Sequence, residues 1–155
     1  MMAHGALSLS IWPRRDPVVA YSFQRRFATS IKLGLKTQTI RGPRNRHARP
    51  GEMIQLYTGL RTTAAAKVCS DARCARVDPI TLRFSPALGS APVLLSAVEI
   101  DGFKVNDLDH FARLDGFKGR RDMSVFWVQQ HGPMAEFHGV LIIWEPPTDD
   151  ISLIA

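Results

Sequence analysis

The chain has 155 residues, with 20 Lys and Arg against 14 Asp and Glu, a formal charge of +6 and a pI of about 9.9. That length holds one domain with a real core and is short for two. Hydrophobic residues at 45% and charged residues at 22% fit an ordinary globular chain, and no apolar run reaches the roughly 20 residues a bilayer-spanning helix needs.

Residues 1–17, MMAHGALSLSIWPRRDP, put an Arg pair after a short apolar patch. A secretory signal carries its positive charge first, so this stretch reads as a flexible leader. Two cysteines, Cys69 and Cys74, are too few for a disulfide framework, and a reduced, cytoplasmic setting is expected.

Val18 to Phe23 is β-branched and aromatic and predicts a first strand. Phe23, Phe27, Ile31 and Leu35 then recur every four residues and predict a helix, with Gly34 placed for a left-handed C-cap. Lys36 follows the cap, and Thr37 to Arg41 predicts a strand. In a strand Thr37, Thr39 and Arg41 share one face and Lys36, Gln38 and Ile40 the other, so Lys36 and Thr39 converge only if the backbone turns between them. Gly42-Pro43 breaks the strand, Arg44 to Pro50 is a basic loop, and Met53 to Tyr57 is an apolar strand.

Residues 58–90 are the least legible. Lys67 to Cys69 and Arg73 to Val77 are candidate strands, and Pro79 to Ser90 reads as a loop. Val93 to Ile100 predicts a strand closed by Asp101-Gly102. A short helix opens near Asn106 or Asp107, either of which suits the N-cap, and leads to Asp115-Gly116-Phe117. Met123 to Gln130 predicts a second helix able to bury Val125, Phe126 and Trp127. Phe137 to Trp144 predicts the closing strand, and the proline-rich tail, residues 146–155, follows it. Strands that do not alternate regularly with long helices argue against a doubly wound fold and for a small mixed or barrel-like sheet.

Phe23 to Gly51 concentrates the charge. It carries Arg25, Arg26, Lys32, Lys36, Arg41, Arg44, Arg46 and Arg49 and no Asp or Glu. Such clustering favours an anionic partner, a nucleotide or a nucleic acid, over charge kept for solubility. Cys69-x4-Cys74 has no answering Cys or His pair, and no His-x-Glu stands with a Cys-x-x-Cys, so neither a zinc site nor a zinc nucleoside deaminase is expected. Phosphate-loop and dinucleotide glycine motifs are absent, and no cofactor is expected.

The series Phe23-x3-Phe27-x3-Ile31-x2-Gly34-x-Lys36-Thr37-x-Thr39-x-Arg41, then Gly51-Glu52-x-Ile54-x-Leu56-Tyr57-x-Gly59-x-Arg61, resembles the ASCH domain, a β-barrel family related to the PUA fold of RNA-binding modules. Phe111-Ala112-x2-Asp115-Gly116-Phe117, Met123-x2-Phe126-Trp127 and Phe137-x-Gly139-x2-Ile142-x-Trp144 are similar to its later blocks. The resemblance covers residues 18–145. It implies an α+β fold: a PUA-like barrel of five or six strands with two or three short helices.

The core is also similar to that of small bacterial amidohydrolases that deacetylate N4-acetylcytidine. That likeness implies Thr39 as nucleophile, Lys36 as base or oxyanion partner, and Asp115 as the acid–base or orienting carboxylate. Asp115 stands where those enzymes have Glu, one methylene longer, and residues 60–92 are extra. Phe23, Arg26, Thr37, Arg41, Arg61 and Phe117 are the expected substrate-binding side chains, with Arg61 at the pocket mouth. No metal is expected. A lowered Lys36 pKa needs burial and cations such as Arg41, whereas an adjacent Asp115 would raise it; the sequence leaves that balance open.

Read without the resemblance, Lys36 is a solvated residue after a helix cap, Thr39 a strand former and Asp115 a turn residue. Two rival functions use the same cleft: RNA binding through Arg41, Arg44, Arg46 and Arg49, and cleavage of single-stranded RNA through Lys36.

Overall fold

A computed structural model describes residues 18–85 and 93–147. The leader, residues 86–90 of the expected loop with 91–92 after them, and the tail beyond 147 lie outside the described residues. The fold is mixed α+β, with eight strands in one sheet. Among the described residues no helix is long and apolar enough to cross a membrane.

Strand β1 (Val19–Phe23) alternates buried and half-buried residues, as its apolar–polar alternation requires. A 3-10 turn, Arg25–Phe27, leads into α1 (Ala28–Lys32). The four-residue apolar spacing predicted a longer helix. Only Phe27 and Ile31 are buried by it, while Leu35 lies beyond the end and is exposed. Gly34 ends the helix at φ +71, the left-handed value expected of it.

Next come β2 (Gln38–Arg41), β3 (Met53–Thr58) and the two-residue β4 (Ala66–Lys67). Strand β1 runs parallel to β3, Val19 opposite Ile54, and β4 folds back on β3. The centre of the sheet is β5 (Ala72–Ser85), with β8 (Glu136–Glu145) antiparallel on one side and β6 (Leu94–Ile100) on the other. The short β7 (Phe103–Lys104) extends β6, and β2 pairs with β8.

The loop expected from Pro79 is therefore corrected: Pro79 to Ser85 continues β5. Proline usually marks an edge because it has no N–H to give. Here the Pro79 carbonyl accepts the N–H of Asp101, in the turn just past β6, and β6 pairing begins only at Ile80. That edge of Pro79 faces a turn, so the missing donor removes no ladder bond.

Helix α2 (Leu108–Leu114) is capped by Asp107, whose carboxylate accepts the His110 N–H at 2.9 Å. Helix α3 (Arg120–His131) packs on β6 through Ser124, which accepts the Leu95 N–H at 2.8 Å. It buries Met123, Ser124 and Trp127. Phe126 is half-buried, and Val125, expected inside, is exposed.

Strand β3 also pairs with β5, and β1 and β2, the two ends of the run β1-β3-β5-β8-β2, share no ladder. Side chains span the gap instead. Arg41 Nη2 donates to Ser22 O at 2.7 Å, and Arg44 Nη1 donates to Ala20 O at 3.4 Å. Ser22 and Arg41 of this seam also line a cavity.

Candidate active site

Residues at the end of β1, in β2 and after α2 meet around a cavity of about 340 Å³. Its floor carries Lys36, Thr39, Arg41 and Asp115, and its walls include Phe23, Phe27, Phe117, Phe126, Trp127 and Phe137. A cavity of that size, mainly apolar with a few convergent polar groups, suits a small organic ligand.

The convergence follows from the backbone. Leu35 and Lys36 both give their N–H to Ser30 O, which turns the chain out of α1. Thr37 N–H then bonds Leu114 O at 3.2 Å, while Thr37 O accepts the Trp144 N–H at 3.0 Å. One residue thus ties the end of α2 and strand β8 to the Lys36 segment. Asp115 is the C-cap of α2, and Gly116 follows at φ +95. A Cβ on Gly116 would stand 2.7 Å from Lys36 Cδ and 2.9 Å from Phe27 Cδ1, so only glycine lets the lysine stem pass.

Lys36 is 3% exposed. Its Nζ donates to Gln38 O at 2.8 Å and to Asp115 O, and lies 3.8 Å from Asp115 Oδ1. The rings of Phe23 and Phe27 sit 5.4 and 4.9 Å away. Burial opposes both charges of the pair. It lowers the Lys36 pKa to about 8; Asp115 pulls the other way, and Arg41 and Arg26 reinforce the fall. Burial likewise raises Asp115 to about 6 against the pull of Lys36, Gln38 and Arg41. The contest left open by the sequence goes to burial.

Thr39 Oγ1 accepts a hydrogen bond from Arg41 Nε at 3.0 Å. A guanidinium in that position favours negative charge growing on the threonine oxygen. Arg41 itself is fixed by its bond to Ser22 O and lies over the Tyr21 and Phe23 rings at 5.4 and 4.8 Å.

Five of the expected residues line the cavity beside Thr39: Lys36, Asp115, Phe23, Arg41 and Phe117. Three do not. Arg26 caps the Phe27–Phe117–Phe126 cluster from outside, 5.0 to 5.6 Å from the three ring centres, and pairs with Asp122 at 2.7 Å. Thr37 contributes through its backbone. Arg61 is exposed at φ +68 in the segment between β3 and β4, away from the cavity lining. Of the basic loop, Arg44 lies over Tyr21 and Arg46 pairs with Glu52 at 2.5 Å.

Two features were not foreseen. Gln38 is 3% exposed, with its backbone carbonyl on Lys36 and its side chain favouring the charged form of Asp115. Asp115 Oδ1 and Gln38 Nε2 are buried without a hydrogen-bond partner among the described residues. The second feature is the outer wall, where Trp127 stacks on His131 at 4.6 Å and meets Phe137 edge-on at 4.7 Å. A glutamine between two threonines in a strand carries no special signal. The Trp127–His131 spacing of four does signal one helix face.

Among the described residues no cluster of three or more His, Cys, Asp or Glu could hold a metal ion. Comparison of the chain with family models, curated proteins and solved structures finds no match.

Proposed function

We propose that the protein is an amidohydrolase of N4-acylated cytosine nucleosides, N4-acetylcytidine among them, on a PUA-like barrel of the ASCH type. The observation that carries this reading is the meeting of Lys36 and Thr39, from the segment that runs into β2, with Asp115, from the end of α2, in one cavity rich in aromatic side chains. The approach of β1 and β2 across the Arg41–Ser22 seam supports a sheet curled toward closure.

In the proposed reaction the Thr39 oxygen attacks the amide carbonyl while Arg41 favours its charge. Lys36, as the amine, takes the threonine proton. The C–N bond then breaks, the proton passes to the departing exocyclic nitrogen, and cytidine leaves an acyl ester on Thr39. Water attacks that ester with the same base, releasing acetate and restoring the hydroxyl. Asp115 orients Lys36 and shuttles protons. The aromatic walls take the base by stacking.

The test is incubation with N4-acetylcytidine, with and without EDTA, following cytidine by chromatography. Release that survives EDTA and falls about 10³-fold or more in Lys36→Ala and Thr39→Ala supports the reading. No release, with a labelled single-stranded RNA retained intact, would overturn it in favour of an RNA-binding module. Chain breaks in that RNA would favour a ribonuclease. Arg44 and Arg46 already have partners inside the protein, which weighs against the basic loop as a free RNA surface.

A further inference from the structure

Lys36 has a second capacity that does not depend on the hydrolase reading. The chain has five lysines, and the other four, Lys32, Lys67, Lys104 and Lys118, are all exposed. Lys36 alone is buried, its amine held by two carbonyl oxygens, Gln38 O and Asp115 O. An amine with both hydrogens committed to carbonyls turns its lone pair to the one tetrahedral direction left. The residue lines the cavity together with Phe23, Phe27, Phe117, Phe126, Trp127 and Phe137, whose rings match a flat apolar ring.

We propose that Lys36 is a carbonyl-reactive amine, and that the cavity takes a small aromatic aldehyde as a reversible imine on its Nζ. The lone pair forms the C–N bond as the C=O π bond breaks, and one amine proton moves to the oxygen. Asp115 in its acid form protonates the resulting hydroxyl, which leaves as water while the C=N bond forms. The second amine proton returns to the carboxylate. One aldehyde and one amine give one imine and one water, with no change of oxidation state. A desolvated lysine beside other cations is the usual setting for this chemistry.

The environment fits each step. The charged groups that act on Nζ are Asp115 from the end of α2, Arg41 from β2 and, from outside the aromatic cluster, Arg26 of the 3-10 turn. Burial and the two arginines favour the free amine, and burial keeps part of Asp115 protonated near neutrality.

The test uses the full chain with benzaldehyde and cyanoborohydride, which adds hydride to an imine and fixes it as a secondary amine. Peptide mass spectrometry then reads each lysine and the N-terminus separately. At pH 7 Lys36 is expected to label at least tenfold faster than the four exposed lysines, with a rate that climbs through pH of about 8. Labelling of the exposed lysines with Lys36 untouched would overturn the proposal. Asp115→Asn, confirmed folded by circular dichroism, is expected to slow Lys36 labelling about tenfold; an unchanged rate would remove Asp115 from the step. Cytidine release by a protein whose Lys36 stays unlabelled would overturn this inference alone. Labelling of Lys36 in a protein that releases no cytidine would overturn the hydrolase alone.

Discussion

Two clusters of opposite charges differ in what surrounds them. At the surface Arg83 of β5 reaches Glu99 at 2.6 Å and Glu136 at 3.4 Å, with every partner between 37 and 44% exposed. Under the cavity Lys36 faces Asp115 at 3.8 Å, and both are almost wholly buried. The shorter contact is the ordinary one. Water already solvates the Arg83 cluster, its partners push the guanidinium pKa up, and breaking it changes little. The longer contact, stripped of water, drives both groups toward their neutral forms. Burial, not separation, decides which cluster can do chemistry.

The sharpest way to break that contrast is to unpair the buried cluster. Asp115→Ala strands a buried ammonium and is expected to cost about 3–5 kcal/mol in urea unfolding. Replacing both groups, Lys36→Met with Asp115→Leu, is expected to leave stability unchanged or raise it by about 1–4 kcal/mol. A double variant as unstable as the single would show that the pair stabilises the fold.

The pH dependence extends the same point. Asp115 has its folded pKa above the unfolded value, so its contribution to stability is full below about 3.8 and is lost as pH rises through about 6. Lys36 has its folded pKa below the unfolded value, so its contribution is full above about 10.5 and is lost as pH falls through about 8. Both are therefore missing between about pH 6 and 8, where the pair is ionised. The Met/Leu variant should gain most over wild type in that window, read by thermal melts across pH. In the same window activity should climb toward pH 8, as the Lys36 amine appears.

Gly116→Ala tests the packing that brings the pair together. Its Cβ meets the Lys36 stem and Phe27 at a backbone angle alanine tolerates poorly. A loss of about 2 kcal/mol is expected, with kcat falling more than KM rises as Nζ is displaced. Gln38→Leu is subtler. It removes an amide that favours the Asp115 carboxylate, so the acid limb of the rate profile should move above pH 6 with little change in melting temperature. Last comes Arg83→Gln, which should leave both activity and melting temperature unchanged.

Much of the scaffold is legible because its strands are short apolar, β-branched and aromatic runs bounded by turn residues. Strands β1, β3, β6 and β8 are such runs, β1 alternating in burial along its length, and Asp107 announces α2. The second half of β5 is hidden by Pro79, whose harmless placement depends on Asp101, in a turn 22 residues later. The helix after β1 looks longer in sequence than in space, because Phe23 belongs to the strand and Leu35 follows the cap. At the site, the Lys36-Thr37-x-Thr39 spacing and Asp115-Gly116 mark the floor. Arg26, Thr37 and Arg61 show the limit of such reading: nearness to a motif in sequence gives no direction to a side chain. Gln38 was illegible for the opposite reason, since its role comes from residues 77 positions away.

The seam between β1 and β2 has a consequence for behaviour in a crowded solution. An open strand edge offers its carbonyls to any extended segment that drifts past, and that is how sheets grow into aggregates. Here Arg41 and Arg44 occupy the carbonyls of Ser22 and Ala20, and their charges line the margin. The same arginine that bonds the threonine hydroxyl also blocks the edge against a second strand. Losing Arg41 should therefore show not only in turnover but also as a protein that sticks to itself, read by chaperone demand or light scattering.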